Sequence, residues 1–201
     1  MAKTRGPAEF TIITPALSLG ALKTLVANFS TLQTTATVIK SSDQLDAATV
    51  TINEMYENNM TQASMAPISK TKTGLEANAK ISIAEDDIKL FAIATNAISY
   101  QGTGVGEPGG DPELIVVSDQ PGLTTGSSEL PYRTVVIRPY TGNTPDTNVR
   151  NWVIFWQAGA EAQAEQSYSL QYQRSYTITF TAYDPTNTGW KVIRGNPAYL
   201  P

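Results

Sequence analysis

Three strings in this sequence hold residue types that could do chemistry. Glu85-Asp86-Asp87 supplies adjacent carboxylates, the raw material of general acid and base catalysis. A glycosidase-type pair, however, needs its two carboxyl groups about 5–10 Å apart across a cleft. These three stand where an amphipathic helical pattern begins, and there they suit the positive end of the helix dipole. Gly104-Val-Gly-Glu-Pro-Gly109 matches the GxGxxG string of dinucleotide sites. That fingerprint needs a helix N-terminus to meet the pyrophosphate, and Pro108 with Gly109-Gly110-Asp111-Pro112 forbids one. Asp184-Pro-Thr-Asn-Thr-Gly189 is rich in oxygen donors, but its acids are wrongly spaced for a calcium loop and no bidentate Glu closes it, so it reads as a turn. No catalytic, cofactor-binding or metal-binding residue is assigned, and the chain is expected not to be an enzyme. Carboxylates brought together from different strands stay invisible at this level.

Composition narrows the chemistry further. The 201 residues include no Cys and no His, which removes disulfides, thiolate nucleophiles, imidazole bases and the favoured ligands of zinc. The formal charge is -4 and the basic residues are scattered, whereas a protein that grips nucleic acid clusters Lys and Arg against the phosphates. Lys70, Lys72 and Lys80 beside Glu76 read as a solvated strand surface. Asn28-Phe-Ser30 and Asn59-Met-Thr61 satisfy the glycosylation sequon, which matters only in a secreted glycoprotein. The most apolar stretch, Ile12 to Phe29, is broken by Pro15, Gly20 and Lys23, too early for a membrane span. It follows Lys3 and Arg5 as a signal peptide would, but reads better as an N-terminal arm, residues 1–30, with some buried Leu and Val.

The elements that must position any site are mostly strands. Leu75, Ala77, Ala79, Ile81 and Ile83 alternate with Glu76, Asn78, Lys80 and Ser82, the signature of a half-buried strand. Ile88, Phe91, Ala92 and Thr95 then follow at helical spacing, predicting one short flanking helix. A second alternation runs from Tyr168 to Ala182, with Arg174 as its one break, and the Asp184–Gly189 turn sends the chain back through Trp190 to Ile193 as a hairpin. Tyr132 to Arg138 and Trp152 to Trp156 carry β-branched and aromatic residues on both faces, as strands covered on two sides do. Trp152 and Trp156 are therefore expected in the core, leaving Trp190 as the tryptophan nearest to solvent. Thr35 to Lys40 and Ala47 to Met55 read as strands around a Ser41-Ser42-Asp43 turn, 56–67 as an exposed loop, and 99–130 as a Gly- and Pro-rich excursion. The fold class is mainly β: a single sandwich-like or barrel-like domain over residues 1–201 with one short helix, a long loop and an arm.

The run Ile68 to Asn96, ISKTKTGLEANAKISIAEDDIKLFAIATN, resembles the centre of bacteriophage tail tube proteins. There a strand with a Thr-Gly turn leads into an alternating strand and then an acid-started helix. Tyr176 to Arg194 resembles the last hairpin of the same family, which is related to the tube proteins of injection systems. The likeness covers the middle and end of the chain and is one of pattern; 102–128 has no counterpart.

The resemblance implies a β-sandwich with a flanking helix, assembled as hexameric rings stacked into a virion tail tube. Such a subunit is made in the host bacterial cytoplasm and meets tail terminator, baseplate or tip, and tape measure proteins. DNA would pass without specific binding, and no membrane or cofactor is involved. On this basis Glu76, Asn78, Lys80, Ser82, Ser175, Thr177, Thr179 and Thr181 are expected to line the lumen. Asn58, Asn59, Met60, Thr61 and Gln62 are expected to touch the adjacent ring. A tube subunit of a contractile injection system, and a monomeric carbohydrate-binding sandwich with coplanar exposed aromatics, are the alternatives.

Overall fold

Short alternating runs of apolar and Thr, Ser or Gln residues fold here into strands whose pairing is antiparallel throughout. In the computed structural model, the described residues are 2–59, 69–83, 90, 93, 95, 98–100, 114–116, 132–163 and 176–201. The strands are β1 (Ala2–Gly6), β2 (Ala8–Ile13), β3 (Thr37–Ile39), β4 (Ala48–Asn59), β5 (Ser69–Ile83), β6 (Ile98–Tyr100), β7 (Leu114–Val116), β8 (Arg133–Thr141), β9 (Thr144–Pro145), β10 (Val153–Gln163), β11 (Tyr176–Tyr183) and β12 (Val192–Arg194). Ten of them form one sheet in the order β1-β4-β5-β11-β10-β8-β2-β3, with β12 added to β10 and β9 to β8. β6 and β7 pair separately, so the excursion over 99–130 contains a strand of its own. The fold is mainly β with a minor helical component.

The sheet curls. β1 and β2 stand first and seventh in the strand order, about 29 Å apart if the sheet were flat. Yet only Pro7 separates them in sequence, which holds Gly6 and Ala8 within about 7 Å. Phe10 of β2 and Phe180 of β11 agree: three strand spacings would part them by about 14 Å, but their ring centroids lie 6.4 Å apart. The concave side of this curl holds the larger core, in which Phe10, Ile81, Ile83, Phe155, Ile178 and Phe180 are essentially inaccessible to water.

The other side of the sheet has a second core, built on Ile13, Val136, Trp152, Ile154 and Trp156. Its cover comes from α1 (Leu19–Lys23), α2 (Phe29–Thr35) and the turn between them, which bring down Leu22, Leu25 and Phe29. Ser18 caps α1 by accepting from the Ala21 N–H. The expected N-terminal arm over 1–30 is thus corrected. β2 lies inside the sheet between β8 and β3 with all six residues buried, and the segment after it covers the sheet. Buried Leu and Val were expected there and are found, but as a helical cover. The single flanking helix expected after Ile83 is likewise too few. Leu90, Ile93 and Thr95 are helical with Leu90 and Ile93 buried, and α1 and α2 add to them.

Two further expectations change. The loop expected over 56–67 is strand as far as Asn59, because β4 and β5 stay paired out to Asn59 opposite Ser69; the rest of that loop lies outside the described residues. The hairpin expected after Ala182 does not form. β11 pairs with Gln157 to Gln163 of β10, and β12 pairs farther along the same edge with Val153 to Phe155. The chain therefore keeps its direction, and 184–191 loops out between two pieces of one interrupted strand line. Trp152 and Trp156 are buried as expected, on the face opposite Phe155.

Candidate functional site

Cross-strand register decides which polar side chains stand together. β4, β5 and β11 are neighbours, and the pairs Thr49–Lys80, Thr51–Asn78 and Asn53–Glu76 join β4 to β5. Ser82–Thr177, Lys80–Thr179 and Asn78–Thr181 continue the rows onto β11. The alternate residues Ala77, Ala79, Ile81, Ile178, Phe180 and Ala182 are all buried in the concave core. With a side-chain period of two, one face of these three strands is committed to the core and the other turns outward as a polar, Thr-rich wall.

Seven of the eight residues proposed for a lumen share that wall: Glu76, Asn78, Lys80, Ser82, Thr177, Thr179 and Thr181. Ser175 lies outside the described residues. Glu76 and Lys80 are exposed and the others are half-buried. Ser82 Oγ and Thr177 Oγ1 lie 3.2 Å apart across the strands, and Asn78 Nδ2 donates to Glu76 Oε1 at 3.1 Å. A shallow depression of about 680 Å³ runs over the wall, lined by Asp46, Ala47, Thr49, Thr51, Asn78, Lys80, Ser82 and Thr179. Asp46, Thr49 and Thr51 were not singled out from sequence. The alternation of Thr49, Thr51 and Asn53 with Ala48, Val50 and Ile52 was the available signal. Charge on the wall is mixed, with Glu76 and Asp46 against Lys80 among the described side chains.

Beyond the wall β4 and β5 continue as an arm. Glu54 accepts from Lys72 Nζ at 2.7 Å and from the Tyr56 hydroxyl, with all three side chains in solvent. The Lys72 hydrogen bond first, and the Tyr56 one second, hold the Glu54 carboxyl below its ordinary value. Glu54 in turn raises both Lys72 and Tyr56. A bulge between Met55 and Tyr56 interrupts the register. Of the proposed ring contacts, Asn58 and Asn59 end β4 opposite Lys70 and Ser69, while Met60, Thr61 and Gln62 lie outside the described residues.

The other chemical candidates resolve locally. Asp184 spends its carboxylate on its own turn, accepting from the N–H groups of Thr188 (3.0 Å) and Gly189 (2.5 Å) and the hydroxyls of Thr186 and Thr188. Burial alone would raise its pKa, but these donors outweigh it and the net shift is downward. The stabilisation is complete above the ordinary value of 3.8 and is lost as pH falls through the lower folded value. The Thr188 and Gly189 amide NMR signals should therefore titrate with a midpoint below pH 3.8. A midpoint at or above that value would show that the turn does not hold the carboxylate. Glu85, Asp86, Asp87 and the Gly104–Gly109 string lie outside the described residues. No group of three or more His, Cys, Asp or Glu could hold a metal among the described residues. No helix there is long and apolar enough to cross a membrane.

Two aromatic pairs with half-buried members among the described residues are tilted. Tyr132 and Tyr183 meet at 59°, and Trp156 and Trp190 at 41°. Arg133, which sequence reading passed over, is 5% exposed on β8, and burial pushes its pKa down to about 10, still charged at neutral pH. No protein-family model matches this sequence and no curated protein matches it, which leaves the wall and the arm as the basis for a functional reading.

Proposed function

We propose that the chain is a non-enzymatic structural subunit that assembles with copies of itself into stacked hexameric rings, forming a phage tail tube that conducts DNA to the host. The observation that carries this reading is the polar wall of β4, β5 and β11, backed by an apolar core. In the assembly the curled sheet serves as a β-sandwich, the wall lines the bore, and the helical cover over the second core faces outward. Duplex DNA presents one negative charge per about 1.7 Å, so a basic wall would bind it through many phosphates and stop it sliding. A wall of hydroxyls, amides and mixed charge lets it pass.

The subunit belongs to the virion tail after synthesis in the host bacterial cytoplasm. Tail terminator, baseplate or tip, and tape measure proteins are its further partners. The same geometry serves a contractile injection system, which differs in setting. A carbohydrate-binding module is less well supported, because the aromatic pairs with half-buried members among the described residues are tilted and not coplanar.

Negative-stain microscopy of the purified chain is expected to show rings or tubes roughly 100 Å wide, the width of six domains of ordinary size in a ring. In assembled tubes, Thr179→Cys should react with a small maleimide but be protected from a bulky exterior one. Tyr199→Cys, at an 88% exposed position, should react with both. Equal bulky labelling at the two positions would remove Thr179 from the bore.

A further inference from the structure

The curl turns on one residue. β1 holds the first place in the strand order and β2 the seventh, and Pro7 alone joins them. Among the described residues β1 pairs with a single strand, β4, through the five pairs from Ala2–Ile52 to Gly6–Ala48. β2 is bound on both sides, by β8 and β3, with all six residues buried. Pro7 is exposed, and its carbonyl accepts from the Tyr140 N–H of β8 at 3.1 Å, so Pro7 stays with β2. The freedom of the link therefore lies at Gly6, the residue type with the fewest backbone restrictions.

A strand placed in this way is built to change partners. Tethered by one residue, it closes onto its own sheet with no slack, and short hinges of this kind invite exchange between copies. Exchange conserves the contacts, because β1 of a neighbouring copy offers β4 the same five backbone pairs in the same register. This edge of β4 is covered in either state, so exchange needs no vacant strand edge. Pro7 has no N–H to lose when the link straightens.

We infer that, within the self-assembly reading on which this rests, β1 of each copy leaves its own β4 and pairs with Ala48 to Ile52 of the next copy, hinging at Gly6-Pro7. Passed one way from copy to copy, the exchange is a heterologous contact, so it closes into a ring or runs on as a filament instead of stopping at a dimer.

The sequence has no cysteine, so an engineered pair makes a single, unambiguous disulfide. Lys3 and Thr51 are register partners, and directly opposed residues place their Cβ atoms about 4.5–5.5 Å apart. The full-length double variant, Lys3→Cys with Thr51→Cys, oxidised after assembly, should run on a non-reducing denaturing gel as a ladder extending past the dimer. An oxidised equimolar mixture of the two single variants should give covalent dimers holding one of each, which a strand kept in its own chain cannot produce. Inserting Gly-Gly-Ser between Gly6 and Pro7 gives the link slack, and that variant should need at least about tenfold more protein to assemble. Particles whose double variant is linked only within each chain, or not at all, would overturn strand exchange while leaving self-assembly standing. So would an insertion variant that assembles like wild type. A ladder that stops at the dimer would overturn the one-way passage. A wild-type chain that stays monomeric overturns both readings.

Discussion

Glu9→Ala is expected to lower the unfolding free energy by about 3–5 kcal/mol, the range for breaking a buried ion pair by removing one partner. Glu9 lies on β2, 5% exposed, and its Oε1 accepts from Arg138 Nε at 3.0 Å, from Arg138 Nη2, and from Gln33 Nε2 at 2.8 Å. The Arg138 guanidinium stands 4.7 Å from the centre of the Phe29 ring and 5.4 Å from that of Trp152. One carboxylate thus ties together β2, β8 and helix α2, and its loss strands a cation under the helical cover. Urea unfolding followed by tryptophan fluorescence measures the effect, because Trp152 borders the pair. Replacing both partners, Glu9→Leu with Arg138→Met, should recover most of the loss, since a well-packed apolar pair removes the uncompensated charge. A single-variant loss below about 1 kcal/mol, the range of an exposed pair, would mean that the pair is solvated.

Phe180→Ala should cost about 3–5 kcal/mol, the range for emptying a fully buried aromatic site. The more telling measurement is its coupling to Phe10→Ala. A contact between the two rings gives an interaction energy of about 0.5–1.5 kcal/mol in a double-mutant cycle, whereas residues about 14 Å apart add independently. Coupling near zero would flatten the sheet and take with it the closed concave core that the polar wall backs onto.

Local pattern carried a good deal of this. The alternation from Leu75 to Ile83 assigned both faces of β5 correctly, and the alternation of Ile178, Phe180 and Ala182 with Thr177, Thr179 and Thr181 did the same for the described part of β11. The two-sided apolar character of Tyr132 to Arg138 and Trp152 to Trp156 placed β8 and β10 at the centre, because a strand with no polar face has no place at the rim. Seven of the wall residues were legible for the same reason: once a strand's apolar face is known, its polar face is fixed by the period of two.

Other features were beyond any local pattern. Ala8 to Ile13 is short and ends at Thr14-Pro15, and nothing nearby says that it pairs with a strand some 125 residues later. Glu9 within that apolar run was the one clue to a buried partner, and Arg138 is too distant in sequence for any spacing rule to join them. The turn chemistry of Asp184 to Gly189 was read correctly, but a turn does not dictate whether the chain returns along its own strand. Here Val192 to Arg194 found a better partner in Val153 to Phe155.

By itself, then, the sequence determined the mainly β character, the inward and outward faces of the long strands and the buried tryptophans, because these follow from side-chain period and hydrophobicity over a few neighbouring residues. Only the tertiary structure decided the strand order, the insertion of β2, the buried Glu9–Arg138 pair and the curl that brings Phe10 to Phe180. Each of those depends on backbone hydrogen bonds between distant segments, and such bonds leave almost no mark on the residues that make them.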